Sequence, residues 1–152
     1  MEIIAIDPGE NHSAVVIWDG KKIIVASDLT NDNMLSWLDS YPDGTSPLVL
    51  EWLTGYGIPA GASTFDTCRW VGRFQQEYRG ESYLLPRRKI KQHLQAANDK
   101  FVRQALIARF GEPGTKKAPG LLYGITGHKL AAFACAVCFW DLHEEAKNDE
   151  RR

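Results

Sequence analysis

The chain has little cysteine, no long apolar run and almost no net charge, and each shortage removes a class of protein. Cys68, Cys135 and Cys138 are the only thiols in 152 residues, an odd and sparse set that excludes a disulfide-stapled extracellular scaffold. Cys135 and Cys138 form a C-x-x-C, but there is no second ligand pair. The surrounding AAFACAVCFW would hold both thiols inside an apolar helix, as core rather than as metal ligands. The longest apolar run, residues 130–140, falls well short of the roughly 20 residues that cross a bilayer, and no basic segment precedes an apolar signal core. The expectation is a cytoplasmic protein with no membrane contact. A hydrophobic content of 44% in 152 residues is enough to bury one core, so a single domain over residues 1–152 is expected, with a frayed tail from about residue 146.

A formal net charge of −1 argues against a nucleic-acid partner until the charges are placed along the chain. Residues 1–68 carry 2 basic and 10 acidic side chains, whereas residues 69–117 carry 12 basic and 4 acidic ones. An acidic first part joined to a strongly basic middle suits a metal site beside a phosphate-binding surface, although solvated helix faces produce the same count.

Hydrophobic patterning divides the chain as follows. Residues 2–7 (EIIAID) are an apolar strand ending on an acid and broken by Pro8-Gly9. Residues 13–18 (SAVVIW) form a second strand, Asp19-Gly20 a hairpin turn, and residues 22–27 (KIIVAS) a third. A helix over 31–39 has Asn31 or Asp32 as its cap. Residues 47–52 (PLVLEW) are nearly all apolar, as in a strand buried within a sheet, except that they contain Glu51. The glycine-rich stretch 55–61 is a loop. A helix follows from 63 or 64 to 78, then a strand over 82–85 ended by Pro86, helices over 87–94 and 98–110, a loop over 112–120 and a buried helix over 127–145. This order, three strands and then alternating helices and strands, is that of an α/β protein with a mixed five-stranded sheet and helices on both faces. Periodicity alone does not separate it from other α/β topologies.

Two residues stand out chemically. A carboxylate at the end of an apolar strand is costly unless something compensates it, and a divalent cation is one compensator. Asp7 and Glu51 both fit that description, and if the first and fourth strands are neighbours their ends bring the two acids together. Taken singly, Asp7 reads equally well as a turn former before Pro8-Gly9, and Glu51 as a solvent-facing acid on an edge strand. Hard oxygen ligands favour Mg²⁺ or Mn²⁺, and two such ions about 3.5–4 Å apart suit hydrolysis of a phosphodiester.

With these residues in view, IIAIDPGENHSAVVIW resembles the opening motif of the RuvC-type Holliday junction resolvases, of the ribonuclease H-like superfamily. LVLEW resembles their second acidic strand, KIKQHLQAANDK their lysine-containing stretch, and GITGHKLAAFACAVCFW their last catalytic helix. EWLTGYGIPAGASTFDTCRWVGRF looks more like the phage and prophage branch. The resemblance implies a ribonuclease H-like fold and a homodimer that cuts two opposed strands of a four-way DNA junction with Mg²⁺ or Mn²⁺.

The last helix departs from the family. Where the bacterial pattern has two acids three residues apart, this chain has His128 and Ala131. A histidine at the first of these positions occurs in some resolvases, which makes His128 a candidate metal or phosphate contact or proton carrier; a surface histidine near a helix start is the plain alternative. Asp141, more than three turns further on, does not rescue the pair. Asp66, in the first turn of its helix, and Glu10, after the Asp7 turn, are second-tier candidates. Lys91 and Lys100 match the lysines that the family places near DNA, and Arg87, Arg88 and Lys89 extend that cluster. Tyr56 on the glycine-rich loop is a candidate for stacking on a junction base. Two other readings compete: a branched-DNA-binding protein that no longer cuts, motivated by Ala131, and an actin-like ATPase fragment, disfavoured because 152 residues leave no second domain to close over a nucleotide.

Overall fold

Residues Ile3–Asp7 form β1, and Ile3, Ile4, Ala5 and Ile6 are completely buried in the computed structural model, which describes residues 1–42, 44–54, 57 and 59–151. β2 (His12–Trp18) returns antiparallel to β1, and β3 (Ile23–Thr30) pairs antiparallel with β2. β4 (Leu48–Trp52) then lies parallel to β1 on its other side, and β5 (Ser82–Pro86) parallel to β4. The order is β3-β2-β1-β4-β5, a mixed sheet with β1 at its centre. The near-continuous apolar runs of β1 and β4 follow from this, because a strand covered on both faces has no solvent side to make polar.

Among the described residues five helices do the covering: α1 (Asn31–Ser40), α2 (Ala62–Glu77), α3 (Arg87–His93), α4 (Asp99–Phe110) and α5 (Gly127–Glu150). Strand alternation decides which helix meets which residue. Ile4, Ile6, Leu48 and Leu50 share a core with Met34 and Leu38 of α1 and Val71 and Phe74 of α2. Ile3, Ala5, Val49 and Trp18 pack instead on the face that holds Ile90 of α3, Leu106 of α4 and Phe133, Cys135 and Cys138 of α5. Both cysteines are fully buried, as the sequence indicates, and desolvation raises their thiol pKa values, that of Cys138 to about 12. No helix among the described residues is long and apolar enough to cross a membrane.

Three local expectations are corrected. Neither Asn31 nor Asp32 caps α1; Thr30 does, its Oγ1 accepting from the Asn33 amide at 3.3 Å. Asn31 turns inward, because β3 runs three residues beyond the expected end and delivers it beside the β1–β2 turn. There the Gly9 amide donates to Ser13 Oγ (3.1 Å), Ser13 Oγ donates to Asn31 Oδ1 (2.6 Å), and Asn31 Nδ2 donates to the Gly9 carbonyl (2.9 Å). The ring closes on the turn that follows Asp7. Gly9 is required there, since a Cβ would lie 2.3 Å from the His12 carbonyl oxygen. Second, α2 begins at Ala62, so Asp66 falls in its second turn rather than its first. Third, α5 continues to Glu150, five residues past the expected end.

Asp141 links three helices. Its carboxylate accepts two hydrogen bonds from the Arg109 guanidinium (2.6 and 2.8 Å) and lies 2.8 Å from His93 Nε2, tying α5 to the ends of α4 and α3. Burial pulls its pKa up, but the Arg109 and His93 hydrogen bonds outweigh it and hold the carboxyl below its ordinary value.

Candidate active site

Register and alternation place the two carboxylates. Ile6 is paired with Leu50 across the parallel β1–β4 ladder, so the next residues along, Asp7 and Glu51, are neighbours at the C-terminal ends of adjacent strands. Parallel strands lie roughly 4.8 Å apart, which sets the scale of their separation. Asp7 has the parity of Ile3 and Ala5, and Glu51 that of Val49, so both point to the face covered by α5. They are 9% and 5% exposed.

The carboxylates open on a cleft of about 480 Å³ lined also by Pro8, Arg87, Asp99, Arg103, His128 and Ala131. Asp7 is raised above its ordinary pKa by desolvation, with the His128 hydrogen bond opposing. Glu51 is raised to about 7, first by desolvation and then by repulsion from Asp7, while Arg87 pulls it back. Two acids that resist ionisation so close together are a pair in want of positive charge. His128, second residue of α5, supplies one contact: its Nδ1 lies 2.8 Å from Asp7 Oδ2, while its side chain remains 82% exposed.

Arg87 supplies another. Glu51 faces Leu85 across the β4–β5 ladder, and α3 starts directly after β5, so Arg87 emerges beside Glu51. Its Nη1 lies 3.4 Å from Glu51 Oε1, and its Nη2 lies 2.8 and 2.9 Å from the two carboxylate oxygens of Asp99. Lys91, one turn along α3, reaches the same carboxylate at 3.1 Å. Both cations, candidates for contacting DNA in the sequence, are thus paired with carboxylates of the chain itself. Arg88, Lys89 and Lys100 are solvent-exposed and do not line the cleft.

The other candidates scatter. Glu10 is exposed in the turn after β1 and stays outside the cleft. Asp66 lies on α2, which packs on the opposite face of the sheet, and pairs with Arg69 at 3.5 Å. Tyr56 lies outside the described residues. Asp99 and Arg103 were not singled out by sequence. Asn98 caps α4 and Asp99 is an acid in its first turn, so the pair read as ordinary helix-start chemistry; only the packing of α3 against α5 shows that this start borders the cleft.

Asp7 and Glu51 fit a divalent cation by burial, hard oxygen donors and raised pKa values. Among the described residues no cluster of three or more His, Cys, Asp or Glu side chains stands at metal-ligating spacing. Such a cation would take its remaining ligands from water and substrate, the usual habit of Mg²⁺ at one or two carboxylates.

No protein-family model matches the chain, and no curated protein matches it in sequence. Solved structures do. RuvC of Thermus thermophilus superposes with a TM-score of 0.62 at 18% identity, covering 91% of this chain and 92% of that one. T. thermophilus RuvC in complex with a Holliday junction substrate gives 0.63 at 17% identity with the same coverage. The chain thus has the ribonuclease H-like α/β fold of RuvC, a mixed five-stranded sheet with helices on both faces.

Proposed function

We propose that this protein is a metal-dependent, structure-selective endonuclease that resolves four-way junctions and related branched DNA. The observation that carries the reading is the meeting of Asp7 and Glu51, two buried and mutually repelling carboxylates, at the open ends of neighbouring parallel strands. The similarity to a fold solved in complex with a Holliday junction supports it.

Asp7 and Glu51 would hold Mg²⁺ or Mn²⁺, in the two-ion arrangement that suits phosphodiester cleavage, with His128 as a further ligand or as the proton carrier. Held there, such ions would neutralise charge on a scissile phosphate and lower the pKa of an attacking water. With Asp7 ionised, His128 Nδ1 donates to it, which fixes the tautomer and leaves Nε2 to accept a proton from solvent. Arg87 and Lys91 offer a fork and a point charge to backbone phosphate, and Arg88, Lys89 and Lys100 extend that surface. Two opposed cuts in one junction need two sites, and each chain carries one; a homodimer is the assembly that follows.

Asp7→Asn and Glu51→Gln should each abolish cleavage of a synthetic four-way junction in Mg²⁺ or Mn²⁺ while leaving junction binding in EDTA within a few-fold of wild type. Undiminished cutting by either variant rejects the assignment. A second reading, a branched-DNA-binding protein that does not cut, is favoured by Ala131 in the cleft and by the Arg87 guanidinium beside Glu51. It requires tight junction binding with no nicking at any concentration of either metal.

A further inference from the structure

Arg87 and Lys91 are spaced i, i+4 on α3, so their side chains leave the helix on one face. Both end on Asp99, the first residue of α4: the guanidinium's Nη2 lies 2.8 and 2.9 Å from the two carboxylate oxygens, with Nη1 turned to Glu51, and Lys91 Nζ lies 3.1 Å from Oδ1. A guanidinium nitrogen and an ammonium converging on one two-oxygen anion are charged donors of the kind that hold phosphate. The anion it holds here is 71% exposed, and ion pairs that exposed contribute little to stability. The start of α4 does not depend on it, because Asn98 Oδ1 already accepts from the Phe101 amide at 3.1 Å. Asp99 also adds a further negative charge near the Glu51 carboxylate. The linker that sets it against α3 contains Gln95, the only non-glycine among the described residues with positive φ, at 53°, a conformation that residues with a Cβ adopt uncommonly.

We propose that Arg87 and Lys91 form a phosphate subsite at the mouth of the cleft, and that Asp99 occupies it in the DNA-free protein as an internal anion which a backbone phosphate displaces. The proposal rests on reading the cleft as a nuclease site and adds a sign to it. Asp99, an acid beside a site short of acids, works against DNA binding instead of completing the metal centre. Displacing an exposed ion pair costs little, so the effect on affinity is a few-fold.

The test is binding of a fluorescent four-way junction in EDTA, where nothing is cut, across a salt series. Asp99→Asn should bind roughly two- to five-fold more tightly than wild type, and Asp99→Ser, another residue that helix starts accept, should do the same. Arg87→Gln with Lys91→Gln should bind more weakly and lower the salt slope by about two. Added to that pair, Asp99→Asn should change nothing, because the cations it masks are gone. Calorimetric Mn²⁺ affinity of Asp99→Asn should equal that of wild type. Unchanged or weaker junction binding by both Asp99 variants overturns the proposal, as does a gain that persists in full without Arg87 and Lys91, the signature of diffuse repulsion. A tenfold loss of Mn²⁺ affinity overturns it by making Asp99 a metal ligand. Failure of the wild-type protein to bind junctions at all rejects the nuclease reading itself, an outcome separate from these.

Discussion

Burial lifts the Glu51 carboxyl from 4.5 to about 7, and repulsion from Asp7 adds to the effect. The folded state therefore holds this proton more tightly than the unfolded chain does. Such a contribution to stability is complete below about pH 4.5 and is lost as the pH rises through 7. In EDTA the melting temperature should fall between pH 5 and 8, by a stability change of up to roughly 3 kcal/mol. Mn²⁺ should restore more of it at pH 8 than at pH 6, since the cation takes over from the proton. Calorimetric melts of wild type and Glu51→Gln decide the matter: the variant should lose most of the pH slope, and an equal slope in both would remove Glu51 as its source. Both acids of the pair were readable from sequence because each interrupts an apolar strand. Asp99 was not, because an acid in the first turn of a helix has an ordinary explanation.

Elements hold these residues through contacts that span the chain. Asn31 belongs to the first turn of α1, yet its side chain closes the hydrogen-bonded ring with Gly9 and Ser13 around the turn after Asp7. Asn31→Ala would leave the half-buried Gly9 carbonyl and the buried Ser13 hydroxyl short of partners, at a cost of about 1–3 kcal/mol. Urea denaturation should show a lower midpoint with an unchanged slope, and junction cleavage should fall as the Asp7 turn loosens. A stability indistinguishable from wild type would mean that water replaces the amide without loss. Sequence gave the existence of the three opening strands and of each helix, but misplaced this cap: Asn31 satisfies every local rule for capping, and only the eighteen-residue separation from Ser13 decides otherwise.

At the scale of the molecule, the basic middle of the chain is folded back on its acidic beginning. α3 and α4 carry most of those cations, and part of that charge is spent internally, Arg87 and Lys91 on Asp99 and Arg109 on Asp141. The basic surface outside these pairs is smaller than the count along the chain implies. If two chains act together on a junction, sedimentation should show a species of twice the chain mass, alone or bound to one junction, and opposed strands should be nicked within one binding event. A monomer that nicks only one strand would exclude the paired arrangement.

The amino-acid sequence by itself determined the strand and helix types, the apolar faces, the paired candidates Asp7 and Glu51, and the absence of the second acid at Ala131. These follow from local chemistry: periodicity, turn residues and the anomaly of a charge within an apolar run. The tertiary structure decided that Asp7 and Glu51 share a face beneath α5, that His128 meets Asp7, that Asp66 lies across the sheet, and that Arg87 and Lys91 are held by Asp99. Each of those depends on strand register or on which face of the sheet a helix packs against. Such contacts join residues eight to more than a hundred positions apart, and no local pattern encodes them.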